Sequence, residues 1–594
     1  MPSDPIQTAA LAVERYGNHP SSLLAVLRQL QQSHHYVSRP AMEKVAERLA
    51  VPLAEVEAVT EFYSFLHSSP QGRYEIYFSN CIIDDLQGRE ALQRRLCERL
   101  KMTVGTTRAD GLVSVAETSC TGLCDQGPAI LVNGHAIGSL TAEKIDRIAD
   151  LVEQQICVED WPAKWFRIED RFERRDLLLT TAWQSGKALK SALRRGPEYV
   201  LEALSDSGLR GRGGAGFPTA KKWRFCREAT GEHFIVCNAD EGEPGTFKDR
   251  VLLRHHADQL LEGMTLAAFV TDARRGFIYL RAEYAFLRAE LETAMRQRRR
   301  QGLLGRNICG LMDFHFDIEI VMGAGAYICG EESALLDSIE GCRGQPRNRP
   351  PYPVTAGLWG QPTVVNNVES FIAASLIVLN GGAWFAGVGT EKSKGTKLLS
   401  IGGDCRWPGI YEVPFGMTVT EILILCGAGE TLGVQVGGPS GTFIGPGEYD
   451  RRIAFEDLGT GGSFMVFGKE RDMLEIVRNF TGFFAHESCG FCTPCRVGTS
   501  ILVHLLDKLR NGWGTAGDIL ELEGLGRVVR QGSHCGLGHT AANPLLDTLE
   551  RFPDRYQAPL QEIDFSPGFD LDGELETARR LTDRFSAADH LTQE

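Results

Sequence analysis

The run Cys489-Gly490-Phe491-Cys492-Thr493-Pro494-Cys495 constrains this chain more than any other feature, because three thiols spaced C-x2-C-x2-C must face one point. Each two-residue gap lets the backbone turn around a compact inorganic core, and a remote fourth thiol closes it. Cys535, in Ser533-His534-Cys535-Gly536, is that fourth thiol. A [4Fe–4S] cluster suits this spacing best. Structural zinc is the alternative, although zinc sites are built mostly from pairs of cysteines.

The remaining cysteines set the compartment. Sixteen in 594 residues are too sparse for a disulfide framework. The N-terminus has no basic region followed by an apolar one, so no secretory signal is expected and the chain reads as cytoplasmic. There, clustered cysteines mean metal or catalysis. Cys97, Cys157, Cys226, Cys237, Cys309, Cys329, Cys342, Cys405 and Cys426 are scattered and read as small buried hydrophobes. No stretch reaches about 18 uninterrupted apolar residues, so no membrane span is expected. The longest, Ser370 to Leu379, has the length of a core helix. A net charge of -14 argues against a nucleic-acid partner.

The length implies about three to five domains. Residues 1–70 show helical periodicity, with a helix start at Pro40. Residues 71–157 mix strands and helices in a small α/β domain: Tyr74 to Phe78, Leu112 to Val115 and Ala129 to Val132 read as strands, the last running into the hairpin turn Asn133-Gly134. Residues 158–200 are a polar linker and helical lead-in. A glycine-rich α/β region spans 201–394, with strands at Phe234 to Asn238, Gly276 to Leu280 and Asp317 to Val321. Short glycine-punctuated β segments fill 395–465, helices return over 466–555, and 556–594 is a polar tail without periodicity.

Within the glycine-rich region, Gly208-Leu209-Arg210-Gly211-Arg212-Gly213-Gly214-Ala215-Gly216-Phe217-Pro218 formally contains G-x-G-x-x-G. A dinucleotide fold needs a strand immediately before that motif. Here Tyr199 to Ser207 reads as helix, so a standard dinucleotide fold is not expected. Bare backbone still admits phosphates, and Arg210, Arg212, Lys221 and Lys222 supply positive charge. Asn238 to Gly245 follows a strand and offers carboxylates and an amide for hydroxyl and ring-edge recognition. Taken alone, it reads first as an ordinary solvated turn. Gly323 to Glu332, Asn348 to Pro353 and Val365-Asn366-Asn367 complete a set of loops that together argue for a flavin and nicotinamide pocket.

The strings GLRGRGGAGFPT, NADEGEPGTFKDR, GAGAYICGEESALL, RNRPPYP, PTVVNNVES and ESCGFCTPCRVG resemble the flavin-bearing, NADH-oxidising subunit of respiratory complex I and related diaphorases. The resemblance implies FMN held by Gly211, Arg212, Gly213, Lys222, Asn238, Asp240, Glu241, Tyr327, Glu331, Asn366 and Asn367. It implies NAD(H) against Phe217, Phe225, Glu243, Glu332, Arg349 and Tyr352. In that reading Phe217 and Phe225 stack adenine, and Glu332 holds the nicotinamide amide. Arg349 and Tyr352 stand where the family usually carries Lys and Phe, which implies altered affinity. The resemblance also implies a fold: an α/β multidomain chain with a Rossmann-like FMN/NAD domain, a small ubiquitin-like β-grasp domain, and a C-terminal helical bundle carrying the [4Fe–4S] cluster on Cys489, Cys492, Cys495 and Cys535.

About residues 20–155 resemble the thioredoxin-like [2Fe–2S] subunit of the same enzymes. Cys120-Thr121-Gly122-Leu123-Cys124 matches its C-x3-C motif, and Cys81 opens its second pair, C-x4-C. Leu86 occupies the closing position and cannot ligate iron. The expectation is a [2Fe–2S] cluster on Cys81, Cys120, Cys124 and an unidentified fourth ligand. Asp84 and Asp85 are the nearest carboxylates. A docking domain that has lost its cluster is the alternative. Carrying both modules in one chain resembles the diaphorase alpha subunits of NAD-reducing [NiFe]-hydrogenases. That implies a ferredoxin-like iron–sulfur small subunit and hydrogenase subunits in a heteromultimer. An electron-input subunit of a formate dehydrogenase or complex I-type enzyme, and a scaffold with a dead flavin site, are the other readings.

Overall fold

A computed structural model describes residues 4–561 and 571–582. The first seventy residues form four helices, Pro5–Tyr16, Leu23–His34, Arg39–Leu49 and Leu53–Phe62. The third has Pro40 in its first turn, where the missing N–H costs nothing. Strands β1 (Tyr74–Ser79), β2 (Thr106–Thr107), β3 (Val113–Thr118), β4 (Ile130–Val132) and β5 (His135–Ile137) form a sheet of order β2-β3-β1-β4-β5. β4 and β5 pair antiparallel through Asn133 and Gly134, both at positive φ, as the tight hairpin requires. Helices Arg89–Leu100 and Ala142–Glu153 bury Leu96, Leu100, Ile145, Ile148 and Val152 in this domain's core.

The stretch expected as a linker contributes β6 (Phe172–Arg174). Next come β7 (Phe234–Ala239), β8 (Arg275–Leu280), β9 (Asp317–Met322) and β10 (Thr363–Asn367), an all-parallel sheet of order β10-β7-β8-β9. Its helices cover it so fully that Val368 to Val378 is buried all round, which is why Ser370 to Leu379 is apolar without crossing a membrane. Among the described residues no helix is long and apolar enough to span a bilayer.

β11 (Thr396–Gly403), β12 (Gly409–Pro414), β13 (Thr431–Val436), β14 (Thr442–Ile444) and β15 (Ser463–Gly468) form a third sheet, packed on helix Val419–Cys426. Its edge is completed by β6, which pairs parallel with β12. Two residues of local pairing leave no readable periodicity, so a polar segment passed for a connector. A bundle of helices, Met473–Glu487, Thr493–Arg510, Ala516–Gly532 and Asn543–Arg551, follows. In the expected tail, Leu571–Thr582 is helical rather than aperiodic; positions 562–570 and 583–594 lie outside the described residues. Of the scattered cysteines, Cys97, Cys226, Cys237, Cys329 and Cys426 are buried as expected. Cys157 is exposed, and Cys309, Cys342 and Cys405 are half-buried.

Candidate functional site

The chain leaves β7 toward β8 and β9 and returns as β10 on the other side of β7. Ligands in open parallel sheets sit outside the strand C-termini at such a reversal. Asn367 pairs in register with Asn238 there. The Asn238 side chain donates to the Gly330 carbonyl (2.7 Å) and accepts from the Asp240 N–H (3.1 Å), tying the acidic loop to the Gly323–Gly330 loop. Asp240 is buried, one carboxylate oxygen has no partner, and burial holds its pKa well above the carboxylate range. An orphaned acceptor costs stability unless a ligand donates to it. Hydroxyls and ring N–H groups of a flavin are donors of that kind, so the crevice fits the group implied by the sequence.

The glycine loop joins helices Pro197–Asp206 and Thr219–Glu228, so no strand precedes it, as read from the sequence. A Cβ on Gly213 would press on Asn367 at 3.2 Å, so the loop and the end of β10 close on one another. Arg212 turns its guanidinium inward, donating to the carbonyls of Arg210 (3.1 Å) and Lys394 (2.7 Å) and stacking on Phe415. Its side chain supports the loop from below. Lys222 donates to Glu332 (3.0 Å) and to the Val365 carbonyl (3.0 Å). Asn366 accepts from the buried Trp223 indole (3.0 Å), and Asn367 caps helix Val368–Asn380 while donating to Asp249 (2.6 Å).

The expected carboxylates divide by task. Glu241 accepts from the N–H groups of Asp249 (2.6 Å) and Arg250 (3.1 Å) and from Tyr284 (2.9 Å), so its side chain organises the next helix. Glu331 caps Glu332–Ile339 and pairs with Arg349. Glu243 takes the Tyr327 hydroxyl (2.5 Å) and the Ser440 N–H (2.9 Å). Burial pushes Glu243 up to about 7, against the pull of those two donors. On the open side, Phe217 (44% exposed), Phe225 (46%) and Tyr352 (55%) leave aromatic faces uncovered. The Phe217 and Phe225 ring centroids are 6.5 Å apart.

Cys489, Cys492, Cys495 and Cys535 line one small pocket, with Ile328, Phe491 and Leu537 around them. Cys492 and Cys535 sit at helix N-caps and Cys495 in a first helical turn, where the dipole favours thiolate. Burial pushes Cys495 up to about 11, so binding a metal cluster there displaces a proton. Four converging thiols in an apolar shell fit a cubane.

In the N-terminal domain the Cys120 and Cys124 sulfurs lie 3.1 Å apart, Cys81 and Cys124 3.8 Å, and all three within 4.8 Å. Neither candidate replacement ligand is free. Asp84 accepts from Ser79 (2.6 Å) and the Ala129 N–H (3.0 Å). Asp85 pairs with Arg89 and accepts from Asn479 (2.9 Å). Leu86 packs against the apolar core.

Residues not singled out by sequence hold these centres together. Arg281 bridges the carbonyls of Glu241 (2.7 Å) and Cys120 (2.6 Å). Arg250 grips both Asp125 oxygens (3.0 and 2.9 Å) and the Gly122 carbonyl (2.8 Å). Glu487, just before the cysteine run, accepts from Ser119 and from the Tyr327 N–H (2.9 Å). One carboxylate thereby touches all three loops. Arg250 was visible in the string NADEGEPGTFKDR; Arg281 follows β8 directly, but nothing local marked it.

Three family models match the chain: "Thioredoxin-like [2Fe-2S] ferredoxin" over 9–153, "Nuo51 FMN-binding domain" over 204–375, and "NADH-ubiquinone oxidoreductase-F iron-sulfur binding region" over 475–559. The first takes in the N-terminal helices as well as the sheet. The "NAD-reducing hydrogenase HoxS subunit alpha" of Cupriavidus necator is 41% identical over 579 residues, 95% of this chain and 96% of that protein. The chain belongs to this alpha-subunit family. A crystal structure of an NAD+-reducing [NiFe]-hydrogenase in the H2-reduced state contains a chain 42% identical, with a TM-score of 0.87, covering 96% of this chain and 99% of that one. An NADH-quinone oxidoreductase subunit of Escherichia coli is 40% identical over 62% of this chain and 85% of its own length. Membership of the alpha-subunit family therefore extends over the N-terminal module, beyond the flavin half shared with the NADH-quinone oxidoreductases.

Proposed function

We propose that this chain is the diaphorase subunit of an NAD-reducing hydrogenase, exchanging electrons between NAD(H) and iron–sulfur clusters through FMN. The observation that carries the reading is Glu487, which ties the nucleotide loop at Tyr327, the thiol loop at Ser119 and the Cys489 run into one junction. FMN supplies the exchange between two-electron nicotinamide chemistry and one-electron cluster chemistry, so no protein acid–base residue is required.

The residues then take these parts. Gly211 and Gly213 let phosphate approach, and Lys222 balances its charge. Asp240, Asn238, Asn366 and Asn367 face the FMN hydroxyls and ring edge, while Arg212, Glu241, Tyr327 and Glu331 hold the loops that do so. Phe217, Phe225 and Tyr352 receive the adenine side of NAD(H). Glu332, kept in place by Lys222 and Arg349, takes the nicotinamide amide, and Glu243 shapes the floor beneath it. Cys489, Cys492, Cys495 and Cys535 hold a [4Fe–4S] cluster. Cys81, Cys120 and Cys124 hold a [2Fe–2S] cluster whose fourth ligand is neither Asp84 nor Asp85. The β11–β15 sheet is a ubiquitin-like β-grasp domain. The partners are a ferredoxin-like small subunit and hydrogenase subunits, in the cytoplasm.

The test is NADH-dependent reduction of a dye by the purified, flavin-loaded chain. Activity lost in Glu332→Gln through KM supports the assignment; a yellow chain that reduces no dye contradicts it.

A further inference from the structure

A second cavity, of about 800 Å³, lies away from the nucleotide crevice, between helix Leu23–His34, the β4–β5 hairpin and the outer face of β8 and β9. That volume is in the range of small-ligand sites, about 300–1,000 Å³. One wall is apolar, built from Phe65, Leu131, Phe286, Ile320 and Val321. Arg28 also lines the cavity, a half-buried side chain with no hydrogen bond or ion pair among the described residues. Among the other charges, Glu159 lines the cavity with no ion pair among the described residues, and the rest are partnered. Glu75 pairs with His35 (2.8 Å), Arg275 faces Glu319 (3.8 Å) and stacks on Trp359, and Arg288 pairs with Glu292 (2.8 Å).

Burial lowers Arg28 to about 10, and the neighbouring charge of Arg288 is the next cause. Arg28 and Arg288 line the same cavity and their like charges repel; an anion held by both offsets that repulsion and supplies Arg28 with the hydrogen bonds it lacks. We propose that this cavity binds a small organic anion, its phosphate or carboxylate on Arg28 and Arg288 and its apolar body against Phe65 and Phe286. Water alone would satisfy the guanidinium but would leave the apolar wall wet, which is why the ligand carries an apolar body. The wall is joined to the nucleotide crevice: Ser64 and Phe65 donate backbone N–H groups to Gly325 (2.9 Å) and Ala324 (3.0 Å).

The full cofactor-loaded chain, with saturating NAD+ filling the nucleotide crevice, is titrated calorimetrically with phenyl phosphate. Inorganic phosphate and benzyl alcohol are run as the anion without a body and the body without an anion. The proposal predicts saturable binding of phenyl phosphate, weakened at least about tenfold in Arg28→Gln and also weakened in Arg288→Gln. Inorganic phosphate binds more weakly, and benzyl alcohol gives no saturable heat. Arg28 makes no hydrogen bond or ion pair among the described residues for the substitution to break, so Arg28→Gln keeps its flavin content. Absence of phenyl phosphate binding, or equal binding by wild type and Arg28→Gln, overturns the proposal; equal affinity for inorganic phosphate overturns its apolar half.

Discussion

Arg250→Met removes the clamp between the Cys120–Cys124 loop and the flavin domain. The Arg250 side chain is 0% exposed and that of Asp125 1%, and the two terminal guanidinium nitrogens are engaged by Asp125, at 3.0 and 2.9 Å. Removing the arginine leaves a buried carboxylate uncompensated, which costs about 3–5 kcal/mol. The chain has several domains, so a single unfolding midpoint would not report that loss. Native-state hydrogen exchange of the amides near 120–126 does, because it follows local opening. At roughly 1.4 kcal/mol per factor of ten, those amides exchange about a hundredfold to a few thousandfold faster, while β7 and β8 amides hold. The double variant Arg250→Met/Asp125→Leu removes both charges and restores most of the protection. Unchanged exchange in the single variant, or a double variant no better than the single, refutes the clamp.

Glu332→Gln replaces a charged acceptor, and a lost charge-assisted hydrogen bond of about 1.5–3 kcal/mol raises KM for NADH roughly ten- to a hundredfold in a dye-reductase assay. Cys535→Ser lowers the iron content by about four per chain and leaves FMN in place; loss of FMN with it would deny the two sites their separate construction. Glu243 has a folded pKa of about 7 against an ordinary 4.5. Its contribution to stability is therefore full below pH 4.5 and is lost as pH rises through 7. Glu243→Gln flattens the pH dependence of local opening at the Tyr327 and Ser440 amides across that window, as read by hydrogen exchange corrected for intrinsic rates, and an unchanged pH dependence contradicts the assignment. Glu487→Gln slows electron delivery from NADH to the clusters more than to a soluble dye, as followed by rapid-mixing spectroscopy.

The site was legible in the sequence wherever chemistry demands a local pattern. Three thiols around one cluster require the short spacing at Cys489, Cys492 and Cys495, and glycine at 213 is favoured because a Cβ there would sit 3.2 Å from the Asn367 side chain. β7, β8 and β9 of the parallel sheet were legible from their runs of apolar residues, whereas β10 was not: Val365-Asn366-Asn367, read as a loop, forms its end. Contacts between domains were not. Arg281 reaches from β8 to the Cys120 carbonyl, and Glu487 reaches from the bundle to Ser119. Each is an ordinary charged residue until the fold brings its partner near. β6 was missed for the same reason, since its pairing with β12 is supplied by a strand more than two hundred positions away. Asp84 and Asp85 looked available as ligands partly because Ala129 and Asn479, which also engage them, lie 45 and 394 positions away.

Iron and flavin quantitation joined to EPR of the NADH-reduced chain tests the central claim most directly. The account predicts one FMN, about six irons per chain, and cluster signals that develop on adding NADH alone. About four irons would remove the N-terminal cluster. An iron-replete, flavin-bearing chain whose clusters stay oxidised in NADH yet are reduced by dithionite would contradict electron transfer from the nucleotide crevice to the thiol-bound centres.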